Sequence, residues 1–182
     1  MQRRLAELVD YLGATRASLL ELVAEVPADR FAERPAADRW SAAELLEHLA
    51  RVETSCARVI AKRVAEARER GVGAETEESS VLGALDALPL LDRTKRLEAP
   101  ELVAPAGGFT REQALAAIST SRADLLLAIT EAEGVALGAV RYTHIRLGEL
   151  DLYQWILFVG KHEERHSRQL EEITAQLGAA TS

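Results

Sequence analysis

The sequence predicts an all-α protein, a four-helix bundle in which residues 1–182 form one domain. Three observations lead to this fold class. Ala, Leu, Glu and Arg, which favour helices, dominate the chain. Four long segments repeat apolar residues at helical spacing. Three of these segments begin with the pattern of a capping box, in which Ser, Thr or Asp is followed three positions later by Glu or Gln. Long helices bury their apolar stripes best against each other, so we expect a bundle.

The first two predicted helices are antiparallel neighbours. The first spans about residues 2–26, where leucines recur on one face and a proline follows. The second begins at Ser41, whose side chain can accept from the backbone of Glu44 while Glu44 reaches back. It runs to about Arg70, just before a glycine. Residues 27–40 form a short connection, which brings the two helices side by side.

The connection between the second and third helices predicts the topology. It spans residues 71–109, contains several Gly and Pro, and has room for a short helix near residues 80–88. A helix of about 30 residues is roughly 45 Å long, and a connection of this length can cross back along it. The third helix, residues 110–133, would then run parallel to the second, and the fourth, residues 151–177, parallel to the first. We therefore predict an up-down-down-up bundle with a long crossover.

Charge and cysteine content narrow the class of function. The formal net charge is −7, which argues against binding nucleic acid through its phosphates as the main activity. Cys56 is the only cysteine, so no internal disulfide can form. The first residues lack the apolar core of a signal peptide, and no apolar run is long enough to span a bilayer. We expect a cytoplasmic protein that acts on a small molecule, with neither nucleic acid nor membrane as a partner.

Three histidines indicate a metal site. His162 and His166 form an i, i+4 pair within the apolar stripe of the fourth predicted helix, and His48 lies on the apolar face of the second. A buried polar group without a hydrogen-bond partner costs about 1–3 kcal/mol, whereas one divalent ion can satisfy three imidazoles. Three protein ligands and an open position are typical of catalytic zinc. The alternative is three core histidines with backbone partners, and the residues alone leave both interpretations open.

The same stretch also spells HExxH, the pattern of zinc proteases, through His162, Glu163 and His166. Those enzymes need a distant third ligand, but only 16 residues follow His166. They also bind peptide along a sheet, and we find no convincing strands in the chain. A di-iron bundle needs Glu-x-x-His on two helices, and the second helix offers no such motif. Glu163 is interpreted either as a base beside a ligand or as a solvated helix residue.

Two stretches resemble the signatures of the DinB superfamily, which includes the DinB_2 branch and the YfiT-like metal-dependent hydrolases. Residues 39–53, RWSAAELLEHLARVE, contain the Trp-Ser helix start followed by His48 and a leucine. Residues 147–173, LGELDLYQWILFVGKHEERHSRQLEEI, contain the turn and final helix with His-x-x-x-His. Residues 92–129 are similar to the crossover and third helix of the family. The resemblance covers nearly the whole chain.

The resemblance implies an up-down-down-up bundle that holds zinc or nickel through His48, His162 and His166. It implies hydrolysis, or transfer of a low-molecular-weight thiol of the bacillithiol or mycothiol type, and relatives are often homodimers. His144 matches no ligand of the family, so we interpret it as structural or as lining the site. Cys56 is expected to be a small core residue. A hypothesis from another class is a non-catalytic, stress-related or interaction bundle.

Overall fold

The computed structural model describes residues 1–94 and 98–179, which form four α-helices and one β-hairpin. The helices are α1 (Arg3–Glu25), α2 (Ala42–Glu69), α3 (Arg111–Glu131) and α4 (Leu152–Ala179). The strands β1 (Arg141–His144) and β2 (Gly148–Asp151) pair antiparallel. No helix among these residues is long and apolar enough to cross a membrane.

The helix starts follow the predicted capping boxes. The Ser41 side chain accepts from the Glu44 backbone N–H at 3.2 Å, and Glu44 Oε2 accepts from the Ser41 N–H at 2.9 Å. The same reciprocal pair of hydrogen bonds begins α3 and α4. Local side-chain chemistry therefore fixes where three of the described helices begin. All predicted helix ends lie within two residues of those observed.

Contacts between helices confirm the predicted topology. Helices α1 and α4 run parallel, α2 and α3 run parallel, and the two pairs are antiparallel to each other, which is the up-down-down-up arrangement. The contacts that show these directions are Tyr11–Gly160 and Thr15–Glu163 for α1 with α4, Glu53–Arg122 and Arg68–Glu131 for α2 with α3, and Leu12–Arg122 and Val23–Arg111 for α1 with α3.

The apolar interior consists of two clusters along the bundle axis. One surrounds Leu8 and Cys56, and the other surrounds Leu19 and Leu45. Between the clusters lies a layer of charged side chains, one from each helix, which we call the ion-pair layer. Its members are Arg16 of α1, Glu53 of α2, Arg122 of α3 and Glu163 of α4.

Two connections differ from the prediction. We expected no strands, but β1 and β2 form a hairpin in which His144 is paired with Gly148 next to the turn. Most hairpin residues are exposed, so the apolar–polar alternation that marks a half-buried strand is missing from the sequence. Residues 80–88, where a short helix was considered, form successive turns closed by hydrogen bonds between residues three apart.

Candidate metal centre

His48, His162 and His166 meet in the bundle between α2 and α4. His162 Nε2 lies 3.3 Å from His48 Nε2 and 3.2 Å from His166 Nε2. One ligand atom from each residue lies within 4.8 Å of the others. Three imidazoles on a tetrahedral ion, at about 2.0–2.1 Å from it, have nitrogens about 3.3 Å apart. The three-histidine cluster is therefore compatible with one divalent metal ion.

Helical spacing places these three side chains together. His162 and His166 are one turn apart on α4, so their side chains are neighbours on one face. His48 lies two turns into α2, after the capping box that begins at Ser41. Since α2 runs antiparallel to α4 and packs against it, the buried face of α2 brings His48 to the pair.

The three histidines differ in the hydrogen-bond partner of Nδ1, the ring nitrogen that is not directed at the cluster. His48 Nδ1 lies 2.8 Å from the Val103 carbonyl oxygen, and His166 Nδ1 lies 2.9 Å from Gln169 Oε1. An acceptor at Nδ1 fixes the proton there and leaves the Nε2 lone pair directed at the cluster. His162 Nδ1 has no hydrogen-bond partner within residues 1–94 and 98–179. Two of the three side chains are thus oriented as metal ligands usually are.

The crossover supplies the acceptor for His48. Glu47, only 1% exposed, accepts from the backbone N–H groups of Ala106 at 2.9 Å and Gly107 at 3.0 Å. Gly107 has φ +82°, a conformation that favours glycine. These bonds hold the crossover against α2, so that the Val103 carbonyl reaches a histidine 55 residues away in the chain.

Burial keeps the three imidazoles neutral. It lowers the pKa of His48 below the ordinary histidine value. Burial lowers the pKa of His162 and His166 further, and the neighbouring imidazoles add to this effect. Neutral imidazole is the form that binds a metal ion. The cluster therefore presents three neutral donors at physiological pH.

A family model for the DinB superfamily matches residues 11–170. The chain belongs to the DinB superfamily. The Bacillus subtilis protein YuaE, itself uncharacterized, is 29% identical to this DinB chain over 153 residues, which are 84% of this chain and 88% of YuaE. The crystal structure of TT2238, a four-helix bundle protein, aligns with a TM-score of 0.63 at 21% identity. That alignment covers 92% of this chain and 98% of TT2238, and it supports the fold alone.

Aromatic rings cover the cluster of this DinB protein. The ring centroid of Trp40 lies 4.8 Å from that of His48 and 6.3 Å from that of His166. Phe158 packs against His162 with centroids 5.3 Å apart. Trp40 immediately precedes the capping residue Ser41, so the start of α2 packs against two of the clustered histidines through this ring.

His144 lies outside the cluster, in the hairpin. Its ring packs against Phe158 at 4.6 Å and Trp155 at 5.1 Å between centroids. Its Nδ1 lies 3.2 Å from the backbone N–H groups of Arg146 and Leu147, which donate to it. His144 therefore stabilises the hairpin turn and is separated from the clustered histidines by Phe158.

Glu163 points into the ion-pair layer. Its Oε1 accepts from Arg16 Nε at 2.6 Å, and its Oε2 accepts from Thr15 Oγ1 at 2.7 Å and Arg122 Nη2 at 2.9 Å. The side chain is only 2% exposed, so the interpretation as a solvated helix residue is wrong. A role as a base stays a prediction, and the three bonds favour a role in positioning.

The rest of the ion-pair layer was not identified from the sequence. Glu53 accepts from Arg16 Nη2 at 2.9 Å, from Arg122 Nε at 2.5 Å and from Ser121 Oγ at 2.5 Å. A signal was present, because Arg16 and Arg122 interrupt the apolar stripes of α1 and α3 at core-facing positions. Charges at such positions usually have buried partners.

One small cavity adjoins His162, and a second lies beside residues that contact the clustered histidines. One separates His162 from the ion-pair layer, with Leu49, Val52 and Val159 also in its wall, and has a volume of about 10 Å³. The other, also about 10 Å³, lies beside Trp40 and Gln169. A volume of this size holds about one water molecule.

Cys56 is a core residue, as expected. It is 3% exposed within the apolar cluster around Leu8. Burial raises the pKa of its thiol to about 12. The thiol is therefore protonated and inert at neutral pH.

Proposed function

We propose that His48, His162 and His166 bind one divalent metal ion, zinc or nickel, and that the protein is a metal-dependent enzyme acting on a small molecule. The observation that supports this most is the convergence of three neutral Nε2 atoms at separations of 3.2 and 3.3 Å. Membership of the DinB superfamily adds support.

Within this proposal the protein's own groups have distinct tasks. Val103 and Gln169 orient His48 and His166 through their Nδ1 atoms. Trp40 packs on the histidine rings and limits access of water to them. A divalent ion bound by the three histidines supplies Lewis acidity, which lowers the pKa of a thiol or water that ligates it.

We propose two reactions for assay. The first is transfer of a low-molecular-weight thiol, of the bacillithiol or mycothiol type, to an electrophilic small molecule. The second is hydrolysis of a small molecule. Thiol transfer requires the added thiol for turnover, whereas hydrolysis proceeds without it, so omission of the thiol separates the two.

The small cavities favour a second candidate function. In this alternative the bundle is a non-catalytic, stress-related or interaction protein that binds metal for stability. The cavity beside His162 and the one beside Trp40 and Gln169 each hold about one water molecule, which is less than a substrate needs. This candidate predicts full metal loading with no turnover by either reaction. Turnover that depends on His48, His162 and His166 would rule it out.

Elemental analysis of untagged protein tests the metal site. We expect near one zinc or nickel ion per chain in the parent, and none in the His162→Ala/His166→Ala variant or in His48→Ala. His144→Ala is the matched control, since His144 lies in the hairpin, and it should keep the parent's metal content. Equal metal content in parent and His48→Ala would refute the three-histidine site. Absence of metal from the parent after incubation with zinc and nickel would refute it as well.

We also propose that the protein acts in the cytoplasm and forms a homodimer through an edge of α1. The side chain of Leu20, on that helix, is 42% exposed. Light scattering of the purified protein measures the oligomeric state, and a mass of one chain would contradict the dimer.

A further inference from the structure

His162 differs from the other two clustered histidines in its surroundings. His48 and His166 each direct Nδ1 at an oxygen, whereas His162 Nδ1 has no such partner in the described parts of the chain. A histidine that binds metal through Nε2 carries its proton on Nδ1, and that N–H almost always has an acceptor. His162 therefore needs an acceptor that the other side chains do not supply directly.

The cavity beside His162 leads to the ion-pair layer. Arg16, Glu53 and Glu163 line it together with His162. With a volume of about 10 Å³, it holds about one water molecule. A buried water of this kind makes about three hydrogen bonds to polar groups, and the wall contains two carboxylates and an imidazole.

The hydrogen bonds of the layer leave acceptor capacity on the carboxylates. An ionised carboxylate has about four lone-pair sites. Glu53 accepts three hydrogen bonds, from Arg16, Arg122 and Ser121. Glu163 also accepts three, of which only the bond from Arg16 goes to Oε1. Each carboxylate thus has about one site left, which matches the two donors of a single water.

We propose that one ordered water in this cavity accepts the Nδ1–H of His162 and donates to Glu53 and Glu163. Through this water the ion-pair layer orients His162, as Val103 and Gln169 orient His48 and His166. Glu53 and Glu163 are positioning residues, since they fix the tautomer and the ring orientation of His162. This inference rests on the proposed function of the cluster as a metal site.

Val159→Ile tests the water directly. The added methylene group should extend from the wall into the cavity and displace the water, while every charge of the ion-pair layer is kept. We expect the affinity for Co²⁺, measured by competition with a chromophoric chelator, to fall about tenfold, at the low end of losses seen for partners of metal ligands. The visible absorption of the Co²⁺-loaded protein should also shift. The melting temperature of the metal-free protein should stay close to that of the parent.

Val64→Ile is the matched control for added volume. Val64 is a buried valine of α2, 3% exposed, in the apolar cluster around Leu8. Its replacement should leave both Co²⁺ affinity and absorption as in the parent. A high-resolution crystal structure should show one water within hydrogen-bond distance of His162 Nδ1 in the parent and none in Val159→Ile.

Glu163→Gln tests the carboxylate, with Glu75→Gln as its matched control. Glu75 is a comparably buried carboxylate, 8% exposed, that pairs with Arg4 and accepts from Tyr153 away from the histidines. Both variants should lower the melting temperature of the metal-free protein. Glu163→Gln alone should weaken Co²⁺ binding, about 10- to 100-fold, and change the absorption. The spectrum matters because a general loss of stability would not alter it.

The outcomes separate this inference from the proposed function. A parent protein that binds no Co²⁺, zinc or nickel would refute the metal site and with it the inference. A parent that binds metal, with Val159→Ile and Glu163→Gln matching its affinity and spectrum, would refute the inference alone. Loss of affinity in both variants, with Val64→Ile and Glu75→Gln unchanged, would support it.

Discussion

At the scale of single residues, the clustered histidines make folding sensitive to acid. In the unfolded chain each imidazole has an ordinary pKa of about 6.5. Burial holds the pKa of His48, His162 and His166 lower in the folded chain. Just below pH 6.5 the unfolded state therefore binds more protons than the folded state, and the free energy of unfolding falls as the pH is lowered.

The metal-free protein should lose stability as the pH falls below about 6.5. Each buried histidine contributes a slope of up to about 1.4 kcal/mol per pH unit. Urea unfolding in the presence of chelator, at several pH values between 7.5 and 5, measures this slope. The His162→Ala/His166→Ala variant should have a shallower slope than the parent, because two of the groups are gone. Parallel slopes would contradict the depressed pKa values.

At the scale of elements, α1 and α4 approach closely at one glycine. A Cβ atom on Gly160 would lie 2.4 Å from Cε1 and 2.9 Å from Cδ1 of Tyr11. Such separations are far below normal contact, so either the tyrosine ring or a helix would have to move. Gly160 lies only two residues before His162 on the same helix, so this contact helps to set where the cluster stands.

Gly160→Ala should destabilise the protein by about 1–3 kcal/mol, the usual cost of overpacking. That cost exceeds the gain of about 0.5–1 kcal/mol from replacing a helical glycine by alanine. Gly13→Ala in α1 is the matched control, because a Cβ there meets no atom within 4 Å, and it should stabilise the protein. Denaturant unfolding compares the two variants. Equal free energies of unfolding in the two variants would show that the Tyr11 ring moves aside at no energetic cost.

Elements and site differ in how far the sequence predicts them. The capping box of Ser41 and Glu44 is local, so it predicts the start of α2 directly. The three histidines follow helical periodicity and were identified as well. The hydrogen-bond acceptor of His48 was not identified, because it is the backbone carbonyl of Val103. Every residue has such a carbonyl, so the sequence does not indicate which one is used. The hairpin was missed because its exposed strands lack apolar alternation.

At the scale of the whole molecule, a bound metal would join α2, α4 and the crossover. A ligand that binds only the folded state stabilises it in proportion to the logarithm of ligand concentration. His48 is bonded to the crossover, and His162 and His166 belong to α4. A metal ion at the cluster should therefore stabilise the bundle as a whole.

Zinc or nickel should raise the melting temperature of protein first stripped with chelator. At a free concentration of about 100 times Kd the stabilisation is about 2.7 kcal/mol. For a chain of this size, that corresponds to about 5–10 °C. Thermal unfolding across a metal titration measures the shift, and the His162→Ala/His166→Ala variant should show none. A shift of equal size in the variant would place the metal elsewhere.

The bond between His48 and the Val103 carbonyl has a consequence for mutational tolerance. Because the acceptor belongs to the main chain, most replacements at position 103 leave it in place. The position of this carbonyl depends instead on two groups that hold the crossover in place. They are the carboxylate of Glu47 and the left-handed backbone at Gly107. The cluster is thus also vulnerable to substitution of Glu47 and Gly107, which touch none of its nitrogen atoms.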